Sequence, residues 1–164
     1  RAIMVTTSES LANAVSDEVE RQLKLLPRES IARPAIENNS YIAIMDSIED
    51  MFTVMNEVAP EHLEIQLPDP MNYMSLVQNA GSVFLGAYAS EPLGDYVGGT
   101  NHVLPTSGTA RFSSPLGVYD FVKRTSFTQF TKERLEEVAK HITTLARTEG
   151  LEAHARAIEV RFEK

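Results

Sequence analysis

A glycine-rich segment, residues 94–102, carries a carboxylate and an imidazole seven residues apart, Asp95 and His102. Its glycines permit positive φ angles and a close approach of the backbone to a ligand. Thr100 and Asn101 add further hydrogen-bond donors and acceptors. Aspartate and glycine are also the commonest turn residues. The segment therefore predicts a ligand-binding loop, with an Asx-type turn as the alternative.

Two more segments combine the same side-chain types. Glu61 and His62 follow a proline and precede a short stretch of alternating apolar residues. They suit proton transfer, because the pKa of histidine is near neutrality and burial can raise the pKa of a glutamate toward neutrality. Glu149 stands five residues before His154, and carboxylates and imidazoles are both zinc ligands. Taken alone, each pair is also typical of solvated surface residues.

Together and in this order, the segments 59–65, 94–121 and 149–161 resemble the C-terminal part of the histidinol dehydrogenase family. The resemblance extends over residues 1–164, whereas the family's chain is much longer and begins upstream. It implies a zinc-dependent, NAD-linked enzyme that carries out the last two oxidations of histidine biosynthesis. We therefore expect this chain to be a fragment of such an enzyme.

The resemblance also implies roles for individual residues. Glu61 and His62 correspond to the acid/base pair, and Asp95 and His154 to zinc ligands. Contact with the substrate, L-histidinol, is implied for a set of six: Glu61, His62, Asp95, His102, Glu149 and His154. Two further zinc ligands and the NAD-binding lobe lie upstream in the family, so we expect the isolated chain to be inactive and to hold zinc poorly.

Apolar periodicity predicts alternating strands and helices, and hence an α/β fold with a mainly parallel sheet flanked by helices. This would be an incomplete Rossmann-like arrangement in a domain of residues 1–130. Strands are predicted at 2–6, 41–45, 63–66, 82–85 and 124–130. Helices are predicted from the capping signal at 6–9 to Pro27, from 46 or 47 to Pro60, and at 70–77, 115–122, 131–149 and 152–162. The last two helices form a tail, residues 131–164, that has little core of its own and resembles the family's dimer-swapped tail.

Composition narrows the possible partners. The net charge is −8, and no stripe of lysine and arginine is present to neutralise phosphates. No apolar run approaches the ~20 residues of a membrane helix. We therefore expect a cytoplasmic protein that binds neither nucleic acid nor membrane. A homodimer with a shared active site is what the family resemblance implies. With no cysteine, any metal must use oxygen and nitrogen ligands.

Two other functional classes fit the same residues. One is a metal-dependent hydrolase with Glu61 as base, for which the sequence shows no third protein ligand. The other is a non-catalytic module for small-molecule binding or dimerisation. Bound metal together with a nicotinamide requirement separates the dehydrogenase from the hydrolase. An empty site, together with ligand binding that mutations of these residues do not change, would favour the non-catalytic module.

Overall fold

The computed structural model describes residues 1–163. The chain forms two compact units, one of residues 1–122 and one that begins at Lys123. The sequence analysis predicts a boundary between a domain of residues 1–130 and a tail of residues 131–164, and this boundary stays a prediction. No helix among the described residues is long and apolar enough to cross a membrane.

Four strands pair in parallel, as the sequence predicts. They are β1 Ile3–Thr6, β2 Tyr41–Ile44, β3 His62–Ile65 and β4 Ser82–Leu85. In the described residues β1 pairs only with β2 and β3 only with β4. The parallel pairing and the covering helices are confirmed, but the strands form two small sheets instead of one larger sheet.

The described residues form six α-helices. They are α1 Glu9–Leu23, α2 Glu29–Asn39, α3 Ile48–Val58, α4 Glu91–Tyr96, α5 Lys132–Thr148 and α6 Glu152–Glu159, with 3-10 turns at Pro70–Leu76, Thr109–Arg111 and Val118–Phe121. The predicted first helix is confirmed, but it ends before Pro27, and Leu11 and Leu26 of its apolar stripe are exposed.

Helix α2 is absent from the sequence prediction because it begins two residues after Pro27 and contains Pro34. Proline removes a helical hydrogen bond, so the pattern argues against a helix there. Ion pairs compensate on one face: Arg33 contacts Glu29 at 2.7 Å and Glu20 of α1 at 2.9 Å. These side-chain contacts cannot be derived from apolar periodicity.

The predicted strand at 124–130 is wrong, because residues 123–131 have no regular secondary structure. Threonine and phenylalanine favour strands only where a partner strand and a surface to pack on exist. The side chain of Phe127 is 93% exposed. The predicted helix at 115–122 is shorter than expected and reduces to the 3-10 turn Val118–Phe121.

The main core lies between α3 and one face of the β3–β4 sheet. Phe52 and Met55 of α3 and Ile65 of β3 are buried there. Apolar residues that pack against them from the two strands are Leu63, Val83 and Leu85. Because side chains alternate along a strand, the remaining positions of β3 and β4 point to the opposite face.

Candidate functional site

The face of the β3–β4 sheet opposite the core carries His62, Glu64 and Phe84. Glu64 and Phe84 are register partners, and His62 lies two residues before Glu64, so all three side chains share one face. Phe84 is 7% exposed, and its ring centroid lies 6.2 Å from that of His62. Phe84 therefore forms an apolar floor beside the imidazole.

Helix α4 lies directly on this floor. A Cβ atom added to Gly94 would stand 2.7 Å from Cε1 of Phe84, so a glycine is required for the close approach of the helix backbone to the ring. The backbone N–H of Glu91 donates to Oε1 of Glu64 at 3.0 Å. These two contacts attach α4 to the β3–β4 sheet, one through Phe84 of β4 and one through Glu64 of β3, the strand that carries His62.

The predicted loop at 94–102 is therefore only partly correct. Its first three residues belong to α4, and of its three glycines only Gly99 has a positive φ. Gly94 lies within the helix and packs closely against Phe84, so it does not form a turn; the ligand-binding role of the segment stays a prediction. The sequence pattern alone could not distinguish these uses of glycine, since both require the absence of a side chain.

Helix α4 brings two carboxylates to the imidazole. His62, Glu91 and Asp95 each offer one ligand atom, and these three atoms lie within 4.8 Å of one another. Nε2 of His62 is 3.7 Å from Oε1 of Glu91, and the two side chains are 29% and 36% exposed. The chain thus brings together His62 and Asp95, which the sequence singles out, and adds Glu91.

Glu91 is the member that the sequence analysis missed. It precedes Asp95 by four residues, a spacing that places both side chains on one helical face. This spacing is informative only if residues 91–96 are predicted to be helical, and the glycines of the segment favour a loop instead. Only the packing of α4 on Phe84 makes the relation visible.

The cluster is electrostatically crowded. Burial, followed by the charge of Asp95 and a hydrogen bond with it, raises the pKa of the Glu91 carboxyl above its ordinary value, while the His62 imidazole opposes the shift. The charge of Glu64 adds to the increase. Two adjacent carboxylates with one imidazole form an environment that a bound cation would stabilise.

Glu61 lies immediately before β3, and its backbone is fixed by β4. Its carbonyl oxygen accepts a hydrogen bond from the N–H of Ser82 at 2.9 Å. A Cβ atom on Gly81 would stand 2.5 Å from this same oxygen. The backbone of the predicted acid/base pair is therefore held in a defined position next to the start of the sheet.

The other predicted site residues lie outside this cluster. His102 is exposed in the irregular segment after α4. Glu149 follows the last residue of α5, and His154 is exposed in α6, after the predicted break at Gly150. Asp95 belongs to the first compact unit and His154 to the second. Their pairing on one zinc ion stays a prediction.

Comparison with known proteins identifies the class. The family model "Histidinol dehydrogenase" matches residues 1–162. The chain therefore belongs to the histidinol dehydrogenase family, whose named members are oxidoreductases.

Individual relatives support the same assignment. The chain is 67% identical over 163 residues to the histidinol dehydrogenase of Lactiplantibacillus plantarum and 60% identical over 164 residues to that of Streptococcus mutans. It spans 38% of the length of each of these relatives. It also superimposes on the crystal structure of histidinol dehydrogenase from Elizabethkingia anophelis with a TM-score of 0.80 at 40% identity, covering 98% of this chain and 37% of that one.

Proposed function

We propose that this chain is the C-terminal part of a histidinol dehydrogenase that oxidises L-histidinol through histidinal to L-histidine with two NAD. The observation that carries the proposal is the juxtaposition of His62 with Asp95 on the β3–β4 face, within a chain of this family. The nearness of this imidazole to this carboxylate supports the proposed roles of proton acceptor for His62 and zinc ligand for Asp95. The NAD-binding lobe is expected in the part of the relatives that this chain does not span.

The donor set fits zinc. Asp95 offers a carboxylate oxygen and His154 an imidazole nitrogen, which are both ordinary zinc ligands, and the carboxylate of Glu91 beside Asp95 also favours a cation. We assign Asp95 and His154 of this chain as zinc ligands, with the remaining donors outside the chain. Zinc held there would anchor the imidazole and amine of histidinol, so that the alcohol carbon is oriented for hydride transfer.

His62 and Glu61 would move the protons of the reaction. His62 takes the hydroxyl proton of the alcohol as the hydride leaves its carbon, which yields the aldehyde. Glu61 then takes a proton from water as the water oxygen attacks the aldehyde carbon, while His62 returns the proton of the first step to the carbonyl oxygen, which yields the hydrate and a neutral His62. His62 removes a hydroxyl proton of this hydrate as the second hydride passes to the second NAD, and the resulting carboxylic acid loses its proton to give the carboxylate.

The remaining predicted residues would bind substrate. His102 and Glu149 are assigned to contacts with histidinol. The tail from residue 131 is assigned to packing on a partner subunit, where His154 would complete the zinc site. The proposed assembly is a cytoplasmic homodimer with shared active sites that binds neither nucleic acid nor membrane. The separation of Asp95 and His154 into two compact units is compatible with such sharing.

The test uses the complete polypeptide that contains this chain, loaded with zinc and assayed for histidinol-dependent reduction of NAD. The variants His62→Asn and Glu61→Gln should each lower kcat by at least ~100-fold, since a positioned acid or base contributes ~100- to 10,000-fold. The control is His141→Asn, which changes an exposed histidine of α5. Near-normal turnover in both site variants would remove these residues from their roles, and metal-dependent hydrolysis without NAD would favour the hydrolase alternative.

A further inference from the structure

Helix α4 carries both carboxylates of the cluster but cannot hold its own position. It has six residues, whereas isolated helices shorter than about 12 residues are marginal in water. Its N-cap residue, Ser90, makes no side-chain capping hydrogen bond. The location of Glu91 and Asp95 relative to His62 must therefore come from contacts between α4 and the sheet.

Glu64 supplies such a contact. Its Oε1 accepts the N–H of Glu91 at 3.0 Å across 27 positions of sequence, and so satisfies one of the first N–H groups of α4, which have no partner within the helix. Its other oxygen, Oε2, accepts from Nε2 of Gln66 at 3.0 Å, which restrains the rotation of the carboxylate. Glu64 thus ties the first residue of α4 to the middle of β3.

The same strand carries the imidazole. Glu64 lies two residues after His62 on the same face of β3, so a single short piece of strand presents both the imidazole and the anchor of the helix. The separation between His62 and the carboxylates of α4 is then set by one hydrogen bond and by the packing of Gly94 on Phe84.

We propose that Glu64 is a positioning residue of this site: it holds the N-terminus of α4 on β3 and thereby sets the placement of Glu91 and Asp95 against His62. The inference rests on the function proposed above for its consequence in catalysis. Its geometric part is independent of the reaction. The carboxylate acts here as a hydrogen-bond acceptor, so its negative charge is not required, and a neutral acceptor of the same length should replace it.

The experiment compares Glu64→Ala and Glu64→Gln in the complete polypeptide, with Asp17→Ala as a control that removes an exposed carboxylate of α1. The first readout is hydrogen–deuterium exchange of a peptide that covers residues 88–96. Loss of one hydrogen bond should accelerate exchange of the Glu91 amide about 5- to 10-fold in Glu64→Ala. Glu64→Gln should stay within about threefold of the unmodified protein.

The second readout is catalysis and zinc content. A displacement of about 1 Å can lower turnover by ~100-fold, so Glu64→Ala should lower kcat about 10- to 100-fold with a smaller change in KM. Glu64→Gln should restore kcat, which a general loss of stability or of surface charge would not do. Unchanged exchange in Glu64→Ala, or a Glu64→Gln variant as impaired as the alanine variant, would overturn the proposal.

The two proposals fail in different ways. If the unmodified complete polypeptide does not oxidise histidinol, the proposed function fails, and the exchange measurement still decides on the anchoring by Glu64. If the unmodified protein is active and both Glu64 variants match it in exchange and turnover, only the positioning role fails.

Discussion

Gly94→Ala offers a sharp test of how the site is assembled. The new Cβ atom would stand 2.7 and 2.8 Å from two carbons of the Phe84 ring, whereas carbon atoms prefer a separation of about 3.5–4.0 Å. Either α4 or the ring must therefore move by roughly 1 Å. Glu91 and Asp95 would move with the helix, while His62 stays on its strand.

The expected effects on stability and on the site differ in size. Overpacking costs about 1–3 kcal/mol, but alanine is favoured over glycine in a helix by about 1 kcal/mol. The net loss of unfolding free energy should be at most about 2 kcal/mol. A functional site tolerates displacements of only about 0.5 Å, so kcat and zinc affinity should each fall by about 10-fold or more.

The assay measures zinc affinity, kcat and thermal unfolding of the complete polypeptide. Gly117→Ala is the control, because Gly117 has φ −134° and a Cβ there would meet its nearest atoms at 3.9 Å. Adding Phe84→Leu to Gly94→Ala should partly restore kcat by making room for the methyl group, a coupling that a double-mutant cycle measures. A Gly94→Ala variant with full zinc affinity and turnover would refute the seating of α4 on Phe84.

Three further results are expected. In metal-free protein, the unfolding free energy should fall as pH rises above 4.5, the ordinary pKa of a glutamate such as Glu91. The pKa of Glu91 is raised in the folded state, so losing its proton costs more in the folded than in the unfolded chain. Chemical denaturation should show that the unfolding free energy of Glu91→Gln depends less on pH. Asn56→Ala should lower the unfolding free energy by about 1–3 kcal/mol, because the carboxamide of Asn56 forms hydrogen bonds with backbone groups of residues 76, 78 and 79. An unfolding free energy within about 0.5 kcal/mol of that of the unmodified protein would contradict this. Mixed dimers of Asp95→Ala and His154→Ala subunits should regain activity that neither variant has alone, as a zinc site shared between subunits requires; no regain on mixing would favour ligands from one chain.

Local signals were sufficient for much of the secondary structure. Ser47 and Thr131 accept hydrogen bonds from the N–H groups three residues later, at Asp50 and Arg134, because a capping side chain acts within a single turn. The apolar run at 82–85 became β4 within its predicted bounds. The family could likewise be identified from contiguous motifs, and the family model confirms it over residues 1–162.

Long-range packing decided the rest. Residues 124–130, although rich in threonine and phenylalanine, form no strand because they pair with no other strand. The ion pairs of Arg33 lie on helix α2, which the prolines at 27 and 34 argued against. The sequence indicated His62 and Asp95 as chemical groups, but not that Glu91 joins them or that Glu64 anchors the helix of Asp95. The contacts of Glu91 with His62 and with Glu64 join residues 29 and 27 positions apart, and they depend on which face of β3 meets α4. Residue propensity and spacing carry information about neighbours along the chain. The site instead forms where one face of the β3–β4 sheet meets α4, and this contact depends on the alternation of side chains along the strands and on the missing side chain of Gly94.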